Sequence, residues 1–480
     1  MIELVDVVRG RYFDSVRLMQ VGRAISDMAG IDRSLVAMAT ELNLDLLADM
    51  GFDVGAVGEA GPDDLLIAMH AIGAVEADRA RAEVDRLLAA PTKRSTRDLF
   101  ASPTPRTIES AARAIGANLG LISVPGPHAF VEAMAALEAG MHLMVFSDNV
   151  SIEHEIVLKG EAAMRGLLVM GPDCGTAIVN GLGLGFANAV EPGPVAITGA
   201  SGTGIQQLCC LLDAAGVGVR HALGTGSRDL SESIGARSTL QALAALDGDP
   251  GVGVIVLVSK PPHPGVAAMV EEAVATCRTP VVTALLGSAE ASLERAAQQT
   301  LETLGEPWPE MPIWRSEPTR ARTGALRGLF SGGTLRAEAQ TIAGATLGRI
   351  GTEPDTPGHW LCDFGEDRYT QGRPHPMIDP TIRLEALGTV IGDPETGVVL
   401  LDVVLGHGAH PDPAAPLAPL VEHALDSGIA TVVSLCGSSR DPQGRDGQAV
   451  RLKEAGAEIY LSNAAAARRA AELAKEATRD

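Results

Sequence analysis

The chain has 480 residues, of which 46% are hydrophobic and only 3% aromatic, with 54 glycines. Such a composition favours closely packed α/β layers, and the length predicts about three domains. The formal charge of −22 repels phosphate backbones and anionic lipid, so it argues against nucleic acid and membranes as partners. Any anionic ligand must therefore be held locally, by backbone N–H groups or a few arginines.

The cysteines and the amino terminus indicate the cellular compartment. The six cysteines form no CxxC pair, so they predict neither a disulfide framework nor a zinc site, and no metal is expected. The amino terminus lacks a signal-peptide pattern, and no apolar run is long enough to span a bilayer. We therefore expect a cytoplasmic protein with reduced thiols.

Residues 1–95 predict a small α/β module of the ferredoxin or ACT type. Alternation with period two indicates strands, and apolar residues with helical spacing indicate helices. The predicted elements are a strand at 2–8, a helix at 15–29, a strand at 34–39, and amphipathic helices near 63–73 and 77–90. The Pro-, Lys- and Arg-bearing stretch that begins at Ala90 predicts a linker.

From residue 106 onward, short apolar runs alternate with helical patterns. This rhythm is typical of βαβ units on a parallel sheet. It predicts a Rossmann-like domain over 106–190 and two further α/β domains over 191–305 and 320–480. The first strands end in the turn Gly-Pro-Asp-Cys-Gly at 171–175, where backbone can approach a ligand.

An internal repeat is the most informative feature of the sequence. The turn at 199–204 reads Gly-Ala-Ser-Gly-Thr-Gly and the turn at 331–334 reads Ser-Gly-Gly-Thr, and each leads into a helical pattern. The repeated order continues with polar Gly-bearing turns at 224–229 and 363–368, and with matching segments at 246–255 and 391–400. The matching order predicts two flavodoxin-like domains that face each other.

We predict that the two turns bind an anion together. The first N–H groups of a helix have no intrahelical acceptor, and the helix dipole adds roughly half a positive charge. A single turn of this kind mostly serves as a helix cap, whereas two related copies indicate a shared ligand. The predicted anion-binding residues are Gly199, Ser201, Gly202, Thr203, Gly204, Ser331, Gly332, Gly333 and Thr334.

Candidate catalytic residues follow the second turn. In the proline-rich segment 372–380, Arg373 could bind a phosphate or carboxylate, and His375 could act as an acid, a base or a phospho-acceptor. The alternative is a stiff helix start with structural prolines, and the sequence leaves both open. His407 follows a buried strand pattern, at the edge where α/β proteins bind ligands, and could hydrogen-bond a ligand together with His410.

These motifs resemble the succinyl-CoA synthetase superfamily. Residues 119–175 are similar to the CoA-binding domain of its α subunit, 194–286 to the α ligase domain, and 322–475 to the carboxyl-terminal domain of its β subunit. With the amino-terminal module and segment 372–380, essentially the whole chain is similar to FdrA proteins. The resemblance implies CoA as the one candidate cofactor. The residues implied to bind it are Pro125, Asp173 and Cys174.

The resemblance also implies a function. In the synthetases the two helices point at a phosphohistidine from opposite sides, which implies the same geometry for Ser201 and Ser331. The histidine segment Gly-His-Ala-Gly has no counterpart after Leu286, where Gly-Ser-Ala-Glu stands, and the ATP-grasp domain is missing. FdrA relatives are associated with purine and allantoin catabolism, as one subunit of an oxamate carbamoyltransferase.

The implied reaction is phosphate-dependent cleavage of a ureido acid such as oxalurate to oxamate and carbamoyl phosphate, with the help of partner subunits. Both reactants are anions that paired helix amino termini can hold and orient. Two alternatives stay open. One is an acyl-CoA ligase of the succinyl-CoA synthetase type, and the other is a non-catalytic scaffold that binds CoA or a metabolite.

Overall fold

The computed structural model describes residues 2–11, 13, 15–26, 28–58, 60–89, 105–287, 291–315, 321–370 and 373–477. The chain forms two compact units, one of residues 1–103 with 371–374 and one of residues 104–370 with 375–480. The linker predicted from Ala90 lies outside the described residues. None of the described helices combines the length and the apolar character that crossing a membrane requires.

The first unit is a three-stranded antiparallel sheet with helices on both faces. Its elements are β1 (Ile2–Val8), α1 (Ser15–Ser26), β2 (Ile31–Met38), α2 (Glu41–Asp49), a 3-10 turn (Val54–Val57), β3 (Leu65–Ala71) and α3 (Ala74–Ala89). The strand order is β1-β3-β2. Two separate apolar cores fill the space between the sheet and its helices.

The helix predicted near 63–73 is wrong, because this segment is the central strand β3. Leu65, Ile67 and Met69 enter the core beneath α1 and α3. The intervening Leu66 and Ala68 enter the core on the opposite face of the sheet. A strand that is buried on both faces shows no polar alternation, and a short apolar run of this kind cannot be distinguished from a buried helix by periodicity.

The second unit begins with a small parallel sheet of order β4-β5-β6. Its elements are α4 (Ile108–Ile115), β4 (Leu119–Ile122), α5 (Gly126–Glu138), β5 (His142–Val145), α6 (Ile152–Arg165) and β6 (Val169–Met170). A hairpin of β7 (Thr176–Val179) and β8 (Leu182–Gly185) follows. Although this hairpin falls inside the predicted range 106–190, β7 is hydrogen-bonded to the next sheet.

The first repeat comprises residues 195–304. Its elements are β9 (Val195–Gly199), α7 (Gly202–Ala214), β10 (Val219–Gly224), α8 (Arg237–Asp247), β11 (Val254–Ser259), α9 (Pro264–Thr276), β12 (Val281–Leu285) and α10 (Leu293–Leu304). With the hairpin, the sheet has the order β12-β11-β9-β10-β7-β8. Its four parallel strands have the order expected of a flavodoxin-like fold.

The second repeat comprises residues 325–476 and has the same order with one further parallel strand. Its elements are β14 (Ala325–Phe330), α11 (Gly333–Leu347), β15 (Trp360–Asp363), α12 (Asp367–Thr370), α13 (Thr381–Gly392), β16 (Thr396–Val404), α14 (Ala414–Asp426), β17 (Ala430–Cys436), α15 (Arg445–Glu454), β18 (Glu458–Tyr460) and α16 (Asn463–Glu476). Strand β13 (Ile313–Trp314) precedes it along the chain, and the sheet has the order β13-β18-β17-β16-β14-β15.

The two repeats share one apolar core. Buried residues of α7, such as Ile205 and Leu208, belong to the same cluster as Leu335 of α11 and Ala467 of α16. The predicted α/β fold, with a Rossmann-like part and two flavodoxin-like domains, is therefore confirmed. Because α7 and α11 pack together, the turns that precede them are brought to one place.

A buried charge cluster joins α6 to the first repeat. Lys159 Nζ lies 2.7 Å from Asp229 Oδ1 and 2.8 Å from Glu155 Oε1, and it donates to Thr225 O at 2.9 Å. Asp229 also accepts two N–H groups in the first turn of α8. The lysine charge is thus fully paired away from water, which buried charges require. The cluster fixes the loop after β10 against the Rossmann-like part.

Candidate functional site

Both predicted turns lie at the switch points of their sheets. Strand β9 lies between β11 and β10, and β14 lies between β16 and β15. In sheets of this topology, ligands bind outside the carboxyl ends of the strands at the point where the strand order reverses. The turns after β9 and β14 therefore occupy the positions where an α/β protein binds its ligand.

The two turns meet head to head. Ser201 Oγ lies 2.7 Å from Thr334 Oγ1, and a Cβ placed on Gly332 would lie 2.8 Å from Thr203 Oγ1. Ser201 and Gly332 are the N-caps of α7 and α11, and the threonines are the second residues of these helices. Each N-cap thus faces the threonine of the opposite helix, so the contacts repeat with the symmetry of the fold.

The equivalence of Ser201 and Ser331 that the resemblance implied is wrong by one residue. The counterpart of Ser201 is the N-cap Gly332, and Ser331 corresponds to Ala200. A side chain at position 332 would place its Cβ 2.6 Å from Thr203 Cγ2. The close approach of the two helices therefore requires glycine at this N-cap, and the serine lies one residue earlier.

A buried carboxylate occupies the second turn. Asp402, on β16, accepts hydrogen bonds from Ser331 N and Gly332 N, both at 2.9 Å, and from Ser331 Oγ at 3.0 Å. Arg383 pairs with this carboxylate at 3.2 Å and donates to the Asp402 main-chain carbonyl at 2.6 Å. Burial raises the pKa of the Asp402 carboxyl, while Arg383 and the N–H groups oppose the rise. Ser331 and Gly332 therefore donate to an anion that the chain itself supplies.

Valine takes the place of this aspartate in the first repeat. Strand pairing sets Val258 beside Gly199, the last residue of β9. In the second repeat it pairs Leu401 with Leu329, which sets Asp402 beside the last residue of β14. Val258 and Asp402 are thus equivalent positions, and the apolar side chain cannot accept hydrogen bonds from the turn after β9.

The first turn is therefore open to an external anion. The Ser201 side chain makes no capping hydrogen bond to α7, and Gly202, the first residue of the helix, is exposed. A Cβ at Gly199 would lie 1.8 Å from Val258 O, and a Cβ at Gly204 would lie 2.2 Å from Ser201 Oγ. Glycine at these two positions lets the turn pack tightly while its leading N–H groups stay available to a ligand.

Asp363 borders the α11 side of the site and was not among the predicted residues. It ends β15, is 7% exposed, and accepts the Gly365 N–H through Oδ1 at 2.9 Å. Its Oδ2 lies 2.6 Å from the Cβ position of Gly333, the first residue of α11. Burial raises the pKa of Asp363 to about 6, with help from the charges of Asp402 and Glu366. The sequence signal was its place at the start of the second polar turn of the repeat.

His375 lies beside this carboxyl group. Its Nε2 lies 2.7 Å from the Cβ position of Gly365, and its Nδ1 accepts the Met377 N–H at 3.2 Å. The neutral ring therefore carries its proton on Nε2. Burial and the nearby Arg383 lower the pKa of His375 to about 4, so the imidazole is neutral at physiological pH.

The roles of the other two predicted catalytic residues stay predictions. Arg373 is exposed and belongs to the first compact unit, whereas His375 belongs to the second. His407 is also exposed, and its main-chain N–H donates to Ala187 O at 2.8 Å. His410, not His407, lines the small cavity that Ser331 and Arg383 border. Residues 288–290, where a family histidine would stand, lie outside the described residues.

The residues implied to bind CoA lie past the carboxyl ends of β4 and β6. Pro125 is the N-cap of α5, Asp173 is exposed with φ 58°, and Cys174 is buried. Burial raises the pKa of the Cys174 thiol to about 12, so this thiol is not a nucleophile. The place suits a nucleotide-like group.

Helix α5 nevertheless offers few donors to such a group. Pro127 has no N–H, and the His128 N–H bonds to Pro125 O at 2.8 Å. Only the Gly126 N–H remains among the first three residues of the helix. A diphosphate bound there would therefore depend on groups other than the start of α5. Among the described residues, no cluster of three His, Cys, Asp or Glu side chains could hold a metal ion.

The fold and the paired turns are those of an α/β protein with a CoA-ligase domain. Residues 329–473 match the family described as CoA-ligase, and residues 1–103 match the family described as AllF, heavy metal-associated domain. Over 449 residues the chain is 37% identical to the YahF protein of Escherichia coli (strain K12), and the match covers 86% of each. The chain belongs to the family of YahF.

More distant relatives carry the names of CoA ligases. The chain is 26% identical over 167 residues to the succinate–CoA ligase [ADP-forming] subunit alpha 2 of Archaeoglobus fulgidus, covering 34% of this chain and 57% of that protein. A solved acetyl-coenzyme A synthetase of Ca. Korarchaeum cryptofilum, in complex with phosphate and ADP, matches with a TM-score of 0.31 and 15% identity, over 75% of this chain and 83% of that one. The predicted succinyl-CoA synthetase-like class is confirmed, and membership among FdrA proteins stays a prediction.

Proposed function

We propose that this chain is an acyl-transfer enzyme of the succinyl-CoA synthetase type, which binds an acyl phosphate at the α7 turn and passes its acyl group to CoA. One observation carries the proposal: Asp402 closes the second turn, whereas Val258 leaves the first open. The geometry therefore supports one anion site at the start of α7, with Thr334 of the opposite helix as a further donor.

Electrostatics support an anion at this place. Two helix amino termini that meet head to head bring two partial positive charges together. Asp402 compensates the charge at α11, and the described residues supply no equivalent carboxylate at α7. A phosphate group would compensate the charge at α7 and would accept hydrogen bonds from the N–H groups of Gly202 and Thr203. The same donors would stabilise charge that develops on the leaving phosphate.

The proposal includes a partner. We infer that a partner subunit or another enzyme supplies the acyl phosphate. Six free cysteines, five of them buried, support a reducing compartment and hence the cytoplasm. CoA enters this scheme as a substrate, and the carboxyl ends of β4 to β6 are the place proposed for its nucleotide part.

Loss of the CoA thiol in the presence of acetyl, succinyl or carbamoyl phosphate would test the function. The Ser201→Ala/Thr334→Ala double variant should lower kcat/KM by about 10- to 100-fold, because two donors to the phosphate are lost. Ser151→Ala, which removes the ordinary N-cap of α6, is the matched control and should keep the activity. The proposal fails if no acyl phosphate reacts, or if the double variant reacts like the wild type.

Carbamoyl transfer is a second candidate. The first three residues of α5 offer a single N–H donor to the diphosphate of CoA. This favours carbamoyl transfer, because that reaction needs no CoA. Inorganic phosphate would occupy the α7 turn and attack the ureido carbonyl of a substrate such as oxalurate, releasing oxamate and carbamoyl phosphate. Phosphorus NMR of the chain with oxalurate and phosphate, with and without partner subunits, should then show a carbamoyl phosphate signal in the absence of CoA. No such signal in any combination would eliminate this candidate.

A further inference from the structure

We propose that Asp363 is the catalytic base of this site and that His375 is the neutral hydrogen-bond donor beside it. This inference rests on the proposed acyl transfer and assigns residues that neither the family matches nor the relatives' names assign. Asp363 borders Gly333, the first residue of α11, and both the Asp363 carboxyl group and the His375 imidazole border Gly365.

Gly365 is the feature that brings the two groups together. An ideal Cβ at this position would lie 3.1 Å from Asp363 Oδ1 and 2.7 Å from His375 Nε2. A larger residue would therefore clash with the imidazole and with Ser331 O, which lies 2.6 Å from the same position. The Gly365 N–H also donates to Asp363 Oδ1 at 2.9 Å, which leaves Oδ2 directed to the start of α11, where its distance from the Gly333 Cβ position is 2.6 Å.

The proton positions suit the two roles. Nδ1 of His375 accepts the Met377 N–H, so the ring can donate only through Nε2. Four charged groups act on the pair: Asp402 and Glu366 raise the pKa of Asp363, Arg336 lowers it, and Arg383 lowers the pKa of His375. Arg383 is itself paired with Asp402 at 3.2 Å, and the charge of Asp363 also acts on the Arg383 guanidinium.

The proton transfers balance over the reaction. The thiol of CoA gives its proton to the Asp363 carboxylate, and the sulfur forms a bond to the acyl carbon. The bond between that carbon and the bridging oxygen of the phosphate then breaks, and Asp363 returns the proton to the departing phosphate. His375 donates from Nε2 to the acyl oxygen while negative charge develops there. No oxidant or reductant takes part.

The direction of the pH dependence follows from the same geometry. The pKa of Asp363 is raised to about 6, so the base is ionised above that pH. We expect the acyl-transfer rate to rise with pH through about 6 in the wild type. Asp363→Asn keeps the acceptor for the Gly365 N–H but removes the base. It should lower kcat by about 100-fold or more and remove this limb of the pH profile.

Sulfate binding gives a readout that needs no turnover. Sulfate stays doubly charged between about pH 5 and pH 8, so any change in its affinity over this range arises from ionisation of groups on the protein. Ionisation of Asp363 beside the anion should weaken sulfate binding by about tenfold across this range in the wild type, which corresponds to one unit of pKa coupling. Asp363→Asn should bind sulfate with a flat profile. Asp247→Asn, in which another carboxylate that accepts main-chain N–H groups is replaced, is the control and should behave like the wild type.

The outcomes separate the two proposals. If the wild type transfers acyl groups and the Asp363→Asn variant is equally active, Asp363 is not the catalytic base. A sulfate profile that is the same in wild type and Asp363→Asn overturns the placement of Asp363 beside the ligand. A chain that shows the expected sulfate profile but transfers no acyl group refutes the proposed function, and the base role with it, but leaves the placement of Asp363 beside the anion intact. Rescue of kcat by Asp363→Glu supports the base, because it restores a carboxylate.

Discussion

Val258 and Asp402 occupy equivalent strand positions in the two repeats and give two similar helix starts different chemistry. The aspartate accepts three hydrogen bonds from the turn beside it. The valine side chain borders Gly199, with Cγ1 3.0 Å from the Cβ position of that glycine. In the proposed function, this single buried side chain decides whether the turn carries its own anion or takes one from solution.

Val258→Asp should convert the first turn into a copy of the second. The new carboxylate would accept the leading N–H groups of α7, so sulfate affinity should fall by about tenfold or more, with the fold retained because these hydrogen bonds satisfy the buried charge. Isothermal titration calorimetry with sulfate measures the effect, and circular dichroism checks the fold. Val258→Leu, which changes size without charge, is the control and should still bind. A well-folded Val258→Asp protein that binds sulfate normally would contradict the assignment of the site to this turn.

Sequence reasoning at this scale found the glycines and hydroxyls of the turns but not the groups that control them. Asp402 lies inside the apolar run of β16 and Arg383 inside α13. In the sequence they are polar interruptions of a strand and a helix. Only strand register and helix packing bring them to the second turn, and neither can be read from spacing along the chain.

At the scale of elements, Glu338 connects three helices of the shared core. From its place on α11 it accepts the Leu293 N–H at the start of α10 at 2.6 Å and the Asn463 side-chain amide at the start of α16 at 2.7 Å. It is 3% exposed, and burial raises its pKa to about 7. The carboxyl group therefore holds helices of both repeats together just past the site.

This carboxyl group should make stability depend on pH. Its pKa is about 7 in the folded protein against an ordinary value of 4.5, so between these values the native state holds a proton that the unfolded chain has lost. The free energy of unfolding should therefore fall as pH rises through this window, by on the order of 3 kcal/mol in total. Denaturant titrations at about pH 5 and pH 8 measure the fall.

Glu338→Gln should remove most of this dependence, because the amide does not ionise. Glu302→Gln, at an exposed position on α10 that pairs with Arg295, is the control and should leave the dependence unchanged. A wild type and a Glu338→Gln variant with the same pH dependence would contradict the role of Glu338.

Element prediction succeeded where patterns were repeated and failed where burial was complete. The matching segments before β11 and β16 identified two related sheets, because Gly, Asp and Pro mark the same turn in both repeats. The strand β3 was mistaken for a helix because both of its faces are covered. The family resemblance implied the same geometry for Ser201 and Ser331, whereas the N-cap of α11 that corresponds to Ser201 is Gly332.

On the scale of the whole molecule, the residues assigned to the site lie in one compact unit. Both turns, Asp402, Asp363 and His375 belong to residues 104–370 and 375–480. The first unit has apolar cores of its own. We therefore expect a chain that begins at residue 104 to bind sulfate with an affinity within about threefold of the full chain, since the leading N–H groups of α7 are retained.

Calorimetry on the shortened and full chains measures this, with the full-length Ser201→Ala/Thr334→Ala variant as the control that should bind poorly. Loss of binding in a shortened chain that keeps its circular dichroism spectrum would mean that residues 1–103 contribute to the site.

The contact between Ser201 and Thr334 also links the packing of the two repeats to the binding of the proposed anion. The two hydroxyls belong to different repeats and lie 133 positions apart in the chain. An anion held between them would therefore contact both repeats. By mass action, whatever stabilises the bound state also opposes separation of the two repeats. A chain saturated with the anion should therefore resist separation of the two repeats more than an empty one, because the bound substrate would contact both repeats.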